Sequence, residues 1–565
     1  MRQKIFLIFY LVMKSMQKIS IAAIVLLHTI LYLHAVWENS IVANRGRYFL
    51  LADDSMISMV YAKNLFDGNG LVWQAGDRVM GITNPLWTMI MSATFFLNLP
   101  RNLASLPIIF FNFLLDLWLI FLIYREILKK SGFFSAVFWS ALLSISTQLI
   151  FFSILGFETT FQALLFTIVL VRHLPDEKGN RKMLIDSPIQ TFLLLAVAVL
   201  IRPDSGLFFA IFTIAAIVFY FSRTADEKMR KKIPVAIFTG VAIITAMLVA
   251  QKLYYGDWLT NTYYLKATGG ARSLSVGWKY FRSAIMDENL LVPLILTAII
   301  LVRWIFFKKL RRKTRKRGIL VASLIFFWLC YVIWTGGDAI PHYRFSLPII
   351  PSMYILAAGG TKFLLDSARL KKLFSRKRIT AGNVLSAVAL FILLAFASWM
   401  SIFILHRQKY PHERMVDRVF VAEELANMRL LQNTKIALFE AGTIPFLLPQ
   451  FKYHDLLGKN DRYIARTEAH RGMVGHNKWD FDYSLGQIKP DIIITRDNYE
   501  GITDRVAKNI LKNAKNLPQD AVFFPIALWI HPIFVEKYRK NRLRIETPHN
   551  THWTFKRSDA VITKQ

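Results

Sequence analysis

Two adjacent carboxylates, Asp53 and Asp54, stand just before a segment of helical character at 56–66. Adjacent carboxylates repel each other and are costly to bury, unless they meet a cation, a metal ion or a proton-transfer task. A positioned carboxylate can take the proton of a hydroxyl nucleophile, so either aspartate is a candidate general base. The alternative interpretation is that Asp54 caps the helix while Asp53 is solvated.

A glycine-rich run follows at 68–87, and it contains four glycines, Arg78 and the tryptophans Trp73 and Trp87. Glycines permit tight turns that expose backbone N–H groups, which suits contact with an anion or a sugar. Arg78 and Asn84 are therefore candidate binding residues. Tryptophans of this kind also anchor proteins at a membrane interface, and that interpretation stays open.

Further polar residues border apolar runs and form a second group of candidates. Arginine matches phosphate oxygens with its planar fork, so Arg202 and Arg344 are candidate phosphate ligands. Both could instead be helix-end residues whose long side chains extend to a membrane interface. The remaining candidates, for contacts to sugar hydroxyls or phosphate, are Glu158, Asp204, Asp257, Asp338 and His342.

The composition indicates a membrane protein with one soluble domain. Of the 565 residues, 54% are hydrophobic, which is too apolar for an ordinary soluble multidomain chain. The formal net charge is +33, but basic residues gather between apolar runs, at Lys308–Arg317 and Lys371–Arg378. This placement is typical of cytoplasmic loops, so the charge does not indicate nucleic acid. The only cysteine, Cys330, can form no intramolecular disulfide.

Apolar segments that approach the roughly 20 residues of a bilayer crossing recur down the chain. The first of them is expected to be retained, because no small-residue cleavage site follows it. The charge clusters place 335–344 and 251–289 on the outer face, away from the cytoplasm, together with everything after about residue 406. The predicted spans are 19–36, 106–124, 133–152, 158–172, 189–201, 206–221, 233–250, 290–307, 318–334, 346–361 and 384–405.

Segment 86–99 determines the predicted membrane topology of the first half of the chain. If this segment crosses the membrane, the basic loops 125–130 and 172–182 become external, against the charge rule. If it is instead re-entrant or interfacial, every large basic loop is cytoplasmic and the eleven spans above remain. We favour the second arrangement, and both arrangements leave the first loop, 37–85, on the outer side.

The C-terminal region differs in character from the rest of the chain. Short apolar runs at Lys435–Phe439 and Asp491–Thr495 alternate with helical and polar segments. We therefore predict a polytopic α-helical membrane domain over 1–405, with about 11–12 transmembrane helices, and a soluble α/β or α+β domain over 406–565. The stretch His476–Tyr483 could contact a glycan, although ordinary loop packing is the simpler explanation.

A series of motifs points to a known family. The most specific block opens with Asp-Asp-x-x-Ile-Ser-x-x-Tyr-Ala-x-Asn-Leu at 53–65. It continues with Gly-x-Gly-Leu-Val-Trp at 68–73 and Gly-x-Arg-Val-x-Gly-x-Thr-Asn-Pro-Leu-Trp at 76–87. Weaker matches follow in chain order at Gly156–Thr159, Arg202–Asp204, Tyr255–Asp257, Asn261–Tyr264, Gly336–Asp338, Tyr343–Phe345 and Asp455–Gly458. Together they resemble the mycobacterial cell-wall terminal arabinofuranosyltransferases and their bacterial relatives, which are GT-C membrane glycosyltransferases.

The resemblance implies a transferase in a bacterial plasma membrane, with its active site on the outer, periplasmic face. It implies a polyprenyl-phosphate-linked sugar, such as arabinofuranose, as donor and a glycan or protein as acceptor. It also implies a first-loop aspartate as general base. The chain departs from the family at Ile82, where an aromatic residue is expected, and at Glu440–Gly442, where the expected acidic-Gly pair is interrupted by alanine.

Either Asp53 or Asp54 would be the base, and the other would orient it or hold a divalent cation. Since only hard oxygen ligands are evident, Mg²⁺, Mn²⁺ or Ca²⁺ would be more natural than zinc. A transporter or flippase of lipid-linked glycan precursors is the alternative function. A transporter should carry charges in the middle of its spans, whereas the predicted spans are nearly free of charge.

Overall fold

The structure is a computed structural model that describes residues 2–174, 187–222, 227–266, 274–306, 312–338, 340–365, 412–495, 503–513, 522–548 and 551–562. The chain forms two compact units that are discontinuous in sequence. Unit 1 comprises Met1–Glu38, Ile109–Thr245 and Ala271–Gln408. Unit 2 comprises Asn39–Ile108, Ala246–Gly270 and Lys409–Gln565, so the first loop and the C-terminal region belong to one unit. The predicted domain bounds of 1–405 and 406–565 stay a prediction.

Unit 1 is built from apolar helices. They are α1 (Arg2–Glu38), α4 (Leu106–Ser131), α5 (Phe133–Ser144), α6 (Thr147–Ile154), α7 (Thr159–His173), α8 (Pro188–Ile201), α9 (Gly206–Tyr220), α10 (Glu227–Tyr255), α12 (Leu274–Asp287), α13 (Leu291–Phe306), α14 (Arg312–Thr335) and α15 (Ile350–Leu365). Short 3-10 helices at Pro203–Ser205 and Leu347–Ile349 precede α9 and α15.

The predicted polytopic helical fold is confirmed. In the described part of the chain, six helices are long and apolar enough to cross a membrane, or up to eight if each of two bent pairs is one span. The bent pairs are α5 with α6, at 44°, and α12 with α13, at 101°. Ten of the predicted spans coincide with described apolar helices, whereas 384–405 and the cluster Lys371–Arg378 lie outside the described residues.

Aromatic rings and close backbone contacts hold the helices of unit 1 together. The Phe166 ring of α7 stacks on Phe208 of α9 with 3.7 Å between centroids, and Trp328 of α14 meets both rings edge-on. Helices α13 and α15 approach closely at Gly360, where a Cβ would lie 2.2 Å from the Leu296 carbonyl oxygen. Small residues permit such backbone approach between helices in lipid.

In unit 2, the first loop contains a β-hairpin and two helices. Strands β1 (Ile41–Ala43) and β2 (Gly46–Tyr48) pair antiparallel, and helix α2 (Asp53–Phe66) packs against α3 (Pro85–Ala93). A 3-10 turn, Thr94–Leu97, extends α3 to thirteen residues, fewer than the roughly 20 of a bilayer crossing. The length of this segment agrees with the arrangement in which 86–99 does not cross.

The C-terminal part of unit 2 contains a five-stranded mixed sheet. Its strands are β3 (Lys435–Leu438), β4 (Lys452–Asp455), β5 (Ile492–Thr495), β6 (Arg542–Glu546) and β7 (Thr551–Lys556). Their order is β4-β3-β5-β7-β6, with β4, β3 and β5 parallel and β5, β7 and β6 antiparallel. The two predicted apolar runs are strands β3 and β5, whose side chains are almost all buried, as parallel strands require.

Helices connect these strands and form the rest of unit 2. They are α11 (Asn261–Lys266), α16 (His412–Asn427), α17 (Thr443–Leu447), α18 (Asp504–Lys512), α19 (Phe524–Trp529) and α20 (Pro532–Lys537). A core of Leu485, Leu528, Phe534, Tyr538 and Phe555 lies against the sheet. Trp479 and Phe481 belong to the same core, so these two aromatic side chains of His476–Tyr483 pack inside unit 2.

Candidate active site

Asp53 and Asp54 are the first two residues of helix α2. The N-cap position is taken by Ala52, and no side chain caps the helix by a hydrogen bond. The interpretation of Asp54 as a helix cap is therefore wrong. Carboxylates in the first turn are nevertheless favourable, because the helix dipole is positive at this end.

The Asp53 carboxylate is held in place by the C-terminal part of unit 2. Its Oδ1 accepts hydrogen bonds from the Thr443 backbone N–H at 3.0 Å and from the Thr443 hydroxyl at 3.3 Å. The same oxygen lies 3.3 Å from a terminal nitrogen of Arg418, and Arg418 Nε donates to Glu440. One arginine therefore stands between two carboxylates. Since each of these contacts to Asp53 is made by Oδ1, Oδ2 is the oxygen that is available to take a proton.

The environment of Asp53 raises its pKa above the usual value. Burial is the main cause, and the neighbouring carboxylates Glu440 and Asp54 add to it. Arg418 and the Thr443 N–H act in the opposite direction without cancelling the effect. A carboxylate whose pKa is raised is a stronger base than a solvated one.

The segment Glu440–Thr443 approaches α2 without room for side chains. A Cβ at Gly442 would lie 2.2 Å from the Asp53 carbonyl oxygen and 2.8 Å from its Oδ1. The Trp73 indole N–H donates to the Ala441 carbonyl at 2.9 Å, which fixes the same segment from the other side. The motif that departs from the family at 440–442 thus lies directly against Asp53.

Asp54 has a different environment, with a lysine as its partner. Its Oδ1 lies 2.6 Å from Lys459 Nζ, and the side chain is 49% exposed, compared with 18% for Asp53. A half-exposed carboxylate of this kind is screened by water, and such surface pairs contribute only about 0–1 kcal/mol. Asp53 is therefore the better positioned of the two aspartates.

The loop that carries Lys459 is tightly ordered. The Asp455 carboxylate accepts from Leu457 N at 3.0 Å, Asn460 N at 2.8 Å and Asn460 Nδ2 at 3.0 Å. Burial raises the pKa of Asp455 to about 6. The Asn261 side chain donates to three carbonyl oxygens of this loop, at 2.9, 3.1 and 2.9 Å. Two of the weaker family motifs, at 261–264 and 455–458, thereby position Lys459.

The two aspartates do not fit a divalent metal ion. Calcium takes six to eight oxygen ligands and magnesium demands near-octahedral oxygen geometry. Here Asp53 faces Arg418 and Asp54 faces Lys459, so each carboxylate already has a cationic partner. Among the described residues, no group of three or more histidine, cysteine, aspartate or glutamate side chains could hold a metal.

Three predicted binding residues of unit 2 have other partners. Arg78 lies over the Tyr254 ring, with 4.9 Å from its guanidinium carbon to the ring centroid. Asn84 accepts from Ser58 of α2 at 3.2 Å and so joins α2 to α3. Asp257 pairs with Arg462 at 3.3 Å and Arg466 at 3.0 Å. The structure shows none of the three in contact with Asp53, and their roles in donor binding stay predictions.

Unit 1 brings the other predicted residues together around two arginines. Arg202 is nearly saturated, because one terminal nitrogen contacts Glu158 at 2.7 Å and the Nε side of the fork contacts Asp204 at 2.8–3.2 Å. The Glu158 and Asp204 side chains are 5% and 8% exposed. Gln162 also donates to Asp204 at 2.8 Å. This cluster joins the end of α8 to the start of α7.

Arg344 has fewer partners than Arg202. Its Nε lies 2.9 Å from Asp338, and in the described part of the chain no other carboxylate is paired with it. The guanidinium groups of Arg344 and Arg202 lie over the same ring, Phe345, at 5.4 and 5.5 Å from its centroid. The terminal nitrogens of Arg344 are thus the donors best suited to a phosphate. His342 is paired with a carboxylate, Glu288, at 2.8 Å.

Polar side chains of α4 hold the break between α6 and α7, which carries Glu158. Asn112 donates to the carbonyls of Ser153 and Phe157 at 2.9 and 3.2 Å. One turn later, Asp116 accepts from the Ser153 hydroxyl at 2.8 Å. These bonds satisfy backbone carbonyls that the end of α6 leaves without a helical partner.

Asp116 also pairs with a histidine inside the apolar helices. His28 Nε2 of α1 lies 3.5 Å from Asp116 Oδ2, and both side chains are fully buried. The spans are predicted to be nearly free of charge, and Asp116 is an exception within 106–124. A single histidine or aspartate in a long apolar run is a weak signal in the sequence, because its partner lies in a different helix.

Sequence reasoning missed the partners that set the environment of Asp53 and Asp54. Arg418, Glu440, Thr443 and Lys459 all lie in the C-terminal part of unit 2, and none was a candidate. The one available signal was the family motif at 440–442, where the acidic residue and the glycine are present with a different spacing.

Comparisons with known proteins give the fold. ArnT from Cupriavidus metallidurans, in its crystal structure bound to undecaprenyl phosphate, aligns with a TM-score of 0.55 at 13% identity, over 96% of this chain and 99% of ArnT. The archaeal oligosaccharyltransferase AglB from Archaeoglobus fulgidus, in complex with an inhibitory peptide and a dolichol-phosphate, gives 0.51 at 10% identity, over 86% of this chain and 70% of AglB. The chain therefore has the same fold as ArnT and AglB.

Comparisons of the sequence are less informative than these structural alignments. A family model described as a domain of unknown function (DUF8728) matches residues 404–547, and no curated protein matches the chain. Arabinofuranosyltransferase AftD from Mycobacteria gives a TM-score of 0.37 at 13% identity, over 35% of its own length, which is too low to carry an argument about the donor sugar. Identities this low establish the GT-C fold but neither the donor nor the acceptor.

Proposed function

We propose that the chain is a membrane glycosyltransferase. It transfers a sugar from a polyprenyl-phosphate donor to a hydroxyl group of a glycan or protein acceptor, on the outer side of the bacterial plasma membrane. The observation that carries this proposal is Asp53: a carboxylate at a helix start, with a raised pKa, oriented by Arg418 and Thr443 in a chain with the GT-C fold.

Asp53 is the general base in this reaction. A hydroxyl group is a poor nucleophile at neutral pH, and Asp53 Oδ2 takes its proton as the hydroxyl oxygen attacks the anomeric carbon of the donor sugar. The bond from that carbon to the phosphate oxygen breaks, and its electron pair leaves with the polyprenyl phosphate. Thr443 and Arg418 keep the carboxylate in one orientation, because both contact Oδ1.

The leaving phosphate needs cationic or N–H donors to stabilise its charge. Arg344 of unit 1 is the candidate for a contact to phosphate, because among the described residues one carboxylate, Asp338, is paired with it, at Nε. Arg202 is less suited, since two carboxylates already occupy its fork. The ArnT and AglB structures are complexes with undecaprenyl phosphate and dolichol-phosphate, which supports a polyprenyl phosphate as the lipid part of the donor. An arabinofuranosyl donor rests on the sequence resemblance.

A transfer assay tests the proposal. Membranes that contain the wild type, Asp53→Asn or Asp54→Asn are supplied with a panel of polyprenyl-phospho-sugars and cell-envelope acceptors. Loss of a positioned base lowers the rate by about 10²–10⁴-fold, so Asp53→Asn should lose transfer while Asp54→Asn keeps most of it. Asp67→Asn, at the other end of α2, is the matched control. Full activity of both Asp53→Asn and Asp54→Asn would contradict the assignment.

The buried pair of His28 and Asp116 favours a transporter of lipid-linked glycan precursors as the second candidate, because ionisable residues inside spans often mark transport pathways. The two candidates differ in their dependence on Asp53. A transporter would move a fluorescent polyprenyl-phospho-sugar between the leaflets of proteoliposomes, and Asp116→Asn rather than Asp53→Asn would stop the movement.

A further inference from the structure

A polar cavity lies in unit 2, beside the elements that hold Asp53. Its volume is about 210 Å³. The hairpin contributes Arg45 and Tyr48, and the segment after α3 contributes Arg101 and Asn102. Helices α16 and α17, with Leu448 just after α17, form the rest of its walls. The cavity has no role in the mechanism above.

Two helices connect this cavity to the candidate base. Arg418, which contacts Asp53, lies on α16 one turn before Ala422, which lines the cavity. A turn of α-helix rises about 5.4 Å. Helix α17 begins at Thr443, which also contacts Asp53, and ends at Leu447, another lining residue. A group bound in the cavity would therefore lie within a few turns of helix from the base.

The only lining carboxylate, among the described residues, is already satisfied. Glu423 accepts hydrogen bonds from the backbone N–H groups of Asn44 and Arg45, both at 3.0 Å, and from the Tyr48 hydroxyl at 2.9 Å. All three donors are neutral groups. The charge of Glu423 is thus stabilised without either of the guanidinium groups that line the cavity.

The two arginines of the cavity have neutral partners. Arg101 donates to the Phe446 carbonyl and lies 5.5 Å from the Phe446 ring centroid, and Arg45 donates to the Asn427 amide oxygen at 2.6 Å. In the described part of the chain, neither guanidinium lies within salt-bridge distance of a carboxylate. Arg101 is half-buried, and burial lowers its pKa although the charge of Asp67 acts in the opposite direction. An anion bound in the cavity would compensate the charge of this guanidinium group.

Apart from Asn102, the remaining wall of the cavity is apolar. It consists of Ala422, Ala426, Leu447 and Leu448. Ligand sites commonly combine an apolar surface with a few convergent polar groups that fix orientation. A sugar ring presents C–H groups to such a wall, and a carboxylate or phosphate on the ring would reach the arginines.

We propose that this cavity is an acceptor subsite for a sugar unit that carries a carboxylate or a phosphate group. Arg101 and Arg45 bind the anionic group, and the wall of Ala422, Ala426 and Leu447 packs against the ring. The subsite rests on the proposed function for its role in acceptor recognition. Its affinity for an anionic sugar does not depend on transfer.

Equilibrium binding to the purified full-length protein in detergent tests the subsite without any donor. The probes are glucuronate, glucose 6-phosphate, inorganic phosphate and glucose, titrated by calorimetry. Glucuronate or glucose 6-phosphate should bind at least about tenfold more tightly than glucose, and whichever of the two binds identifies the group that the site takes. Tighter binding of inorganic phosphate than of both sugars would contradict a sugar subsite, and equal binding of all four probes would contradict an anion site.

Two variants address the cavity by different physical means. Arg101→Gln removes the charge and should weaken binding of the anionic sugar at least about tenfold. Ala426→Leu keeps every charge, is compatible with a helix, and fills the cavity, so it should weaken binding to a similar degree. Arg505→Gln on the exposed face of α18 is the control for loss of one positive charge. Binding that survives Ala426→Leu would overturn the assignment even if Arg101→Gln fails to fold.

The failure of the subsite and the failure of the transferase are distinguishable. Asp53→Asn should abolish transfer and leave glucuronate or glucose 6-phosphate binding unchanged. If the wild type binds the anionic sugar but transfers nothing from any donor, the subsite stands and the proposed function fails. If the wild type transfers sugar with equal efficiency to neutral and anionic acceptors, and binds neither, the subsite is wrong and the transferase stands.

Discussion

In each compact unit, a cluster that contains predicted site residues places one arginine between two carboxylates. In unit 2, Arg418 contacts Asp53 and Glu440. The Asp53 side chain keeps 18% of its surface exposed, and its Oδ2 is available to a substrate. The Thr443 N–H and hydroxyl donate to Asp53 and Arg418 is paired with it. The carboxylate is therefore held in one orientation while part of it stays exposed.

The corresponding cluster of unit 1 also pairs one arginine with two carboxylates, but these carboxylates are less exposed to solvent. Arg202 contacts Glu158 and Asp204, whose side chains are 5% and 8% exposed. Breaking a buried ion pair is costly because it leaves a charge without compensation. We therefore assign the cluster of unit 2 to chemistry and that of unit 1 to holding α7 and α8 together. The comparison teaches that access to the carboxylate, rather than the types of charged residue, distinguishes a candidate base from a structural carboxylate.

The largest effect should follow from removing the arginine of the closed cluster. Arg202→Gln leaves Glu158 and Asp204 buried without a cation, which costs about 3–5 kcal/mol. The variant should unfold at a markedly lower temperature in detergent, as measured by the loss of monodisperse protein after heating. Arg202→Lys, which retains a charge, should recover part of the loss. A wild-type unfolding temperature for Arg202→Gln would show that the cluster is not structural.

Arg344 differs from Arg202 because it contacts one carboxylate instead of two. Arg344→Gln should lower kcat/KM for the polyprenyl-phospho-sugar by roughly 10- to 100-fold, since a hydrogen bond to a charged group contributes about 1.5–3 kcal/mol. Its unfolding temperature should fall less than that of Arg202→Gln. If Arg344→Gln instead unfolds as readily as Arg202→Gln and transfers normally when folded, Arg344 is structural as well.

A smaller effect is expected at Gly442, which allows the close approach to Asp53. A Cβ at this position would lie 2.2 Å from the Asp53 carbonyl oxygen, so Gly442→Ala must displace the start of α2. Transfer should fall roughly tenfold, a barrier change of about 1.4 kcal/mol. Gly486→Ala is the matched control, because its Cβ would meet only Ile533 Cδ1, at 3.4 Å. Equal rates for the two variants would show that the approach at 442 does not position Asp53.

Much of the fold follows from the sequence because it depends on local pattern. Long apolar runs predict the helices of unit 1, and the runs at 435–439 and 491–495 predict two buried strands. Helix α12 was missed, because serine, lysine and arginine residues interrupt its apolar positions. Because 251–289 lacks a continuous apolar run, its sequence predicts a loop on the outer face.

The candidate site could be predicted only in part. The pair Asp53 and Asp54 is visible as adjacent carboxylates, and the arginines at the ends of apolar runs are visible as well. Thr443, which orients Asp53, lies 390 residues away in the chain, and no local pattern joins the two. Arg418 and Glu440 are ordinary charged residues in the sequence, and they acquire a role only because the sheet of unit 2 brings them to the start of α2.

The dependence of transfer on pH tests the central claim most directly. Because the pKa of Asp53 is raised, kcat/KM should fall as the pH decreases through a value above the ordinary aspartate pKa, where Asp53 becomes protonated and can no longer accept a proton. Glu440 contributes to the raised pKa, so Glu440→Gln should move this acid limb to lower pH. Asp53→Asn should lose the limb together with the activity. An acid limb that persists unchanged in Asp53→Asn, with substantial transfer, would contradict the account.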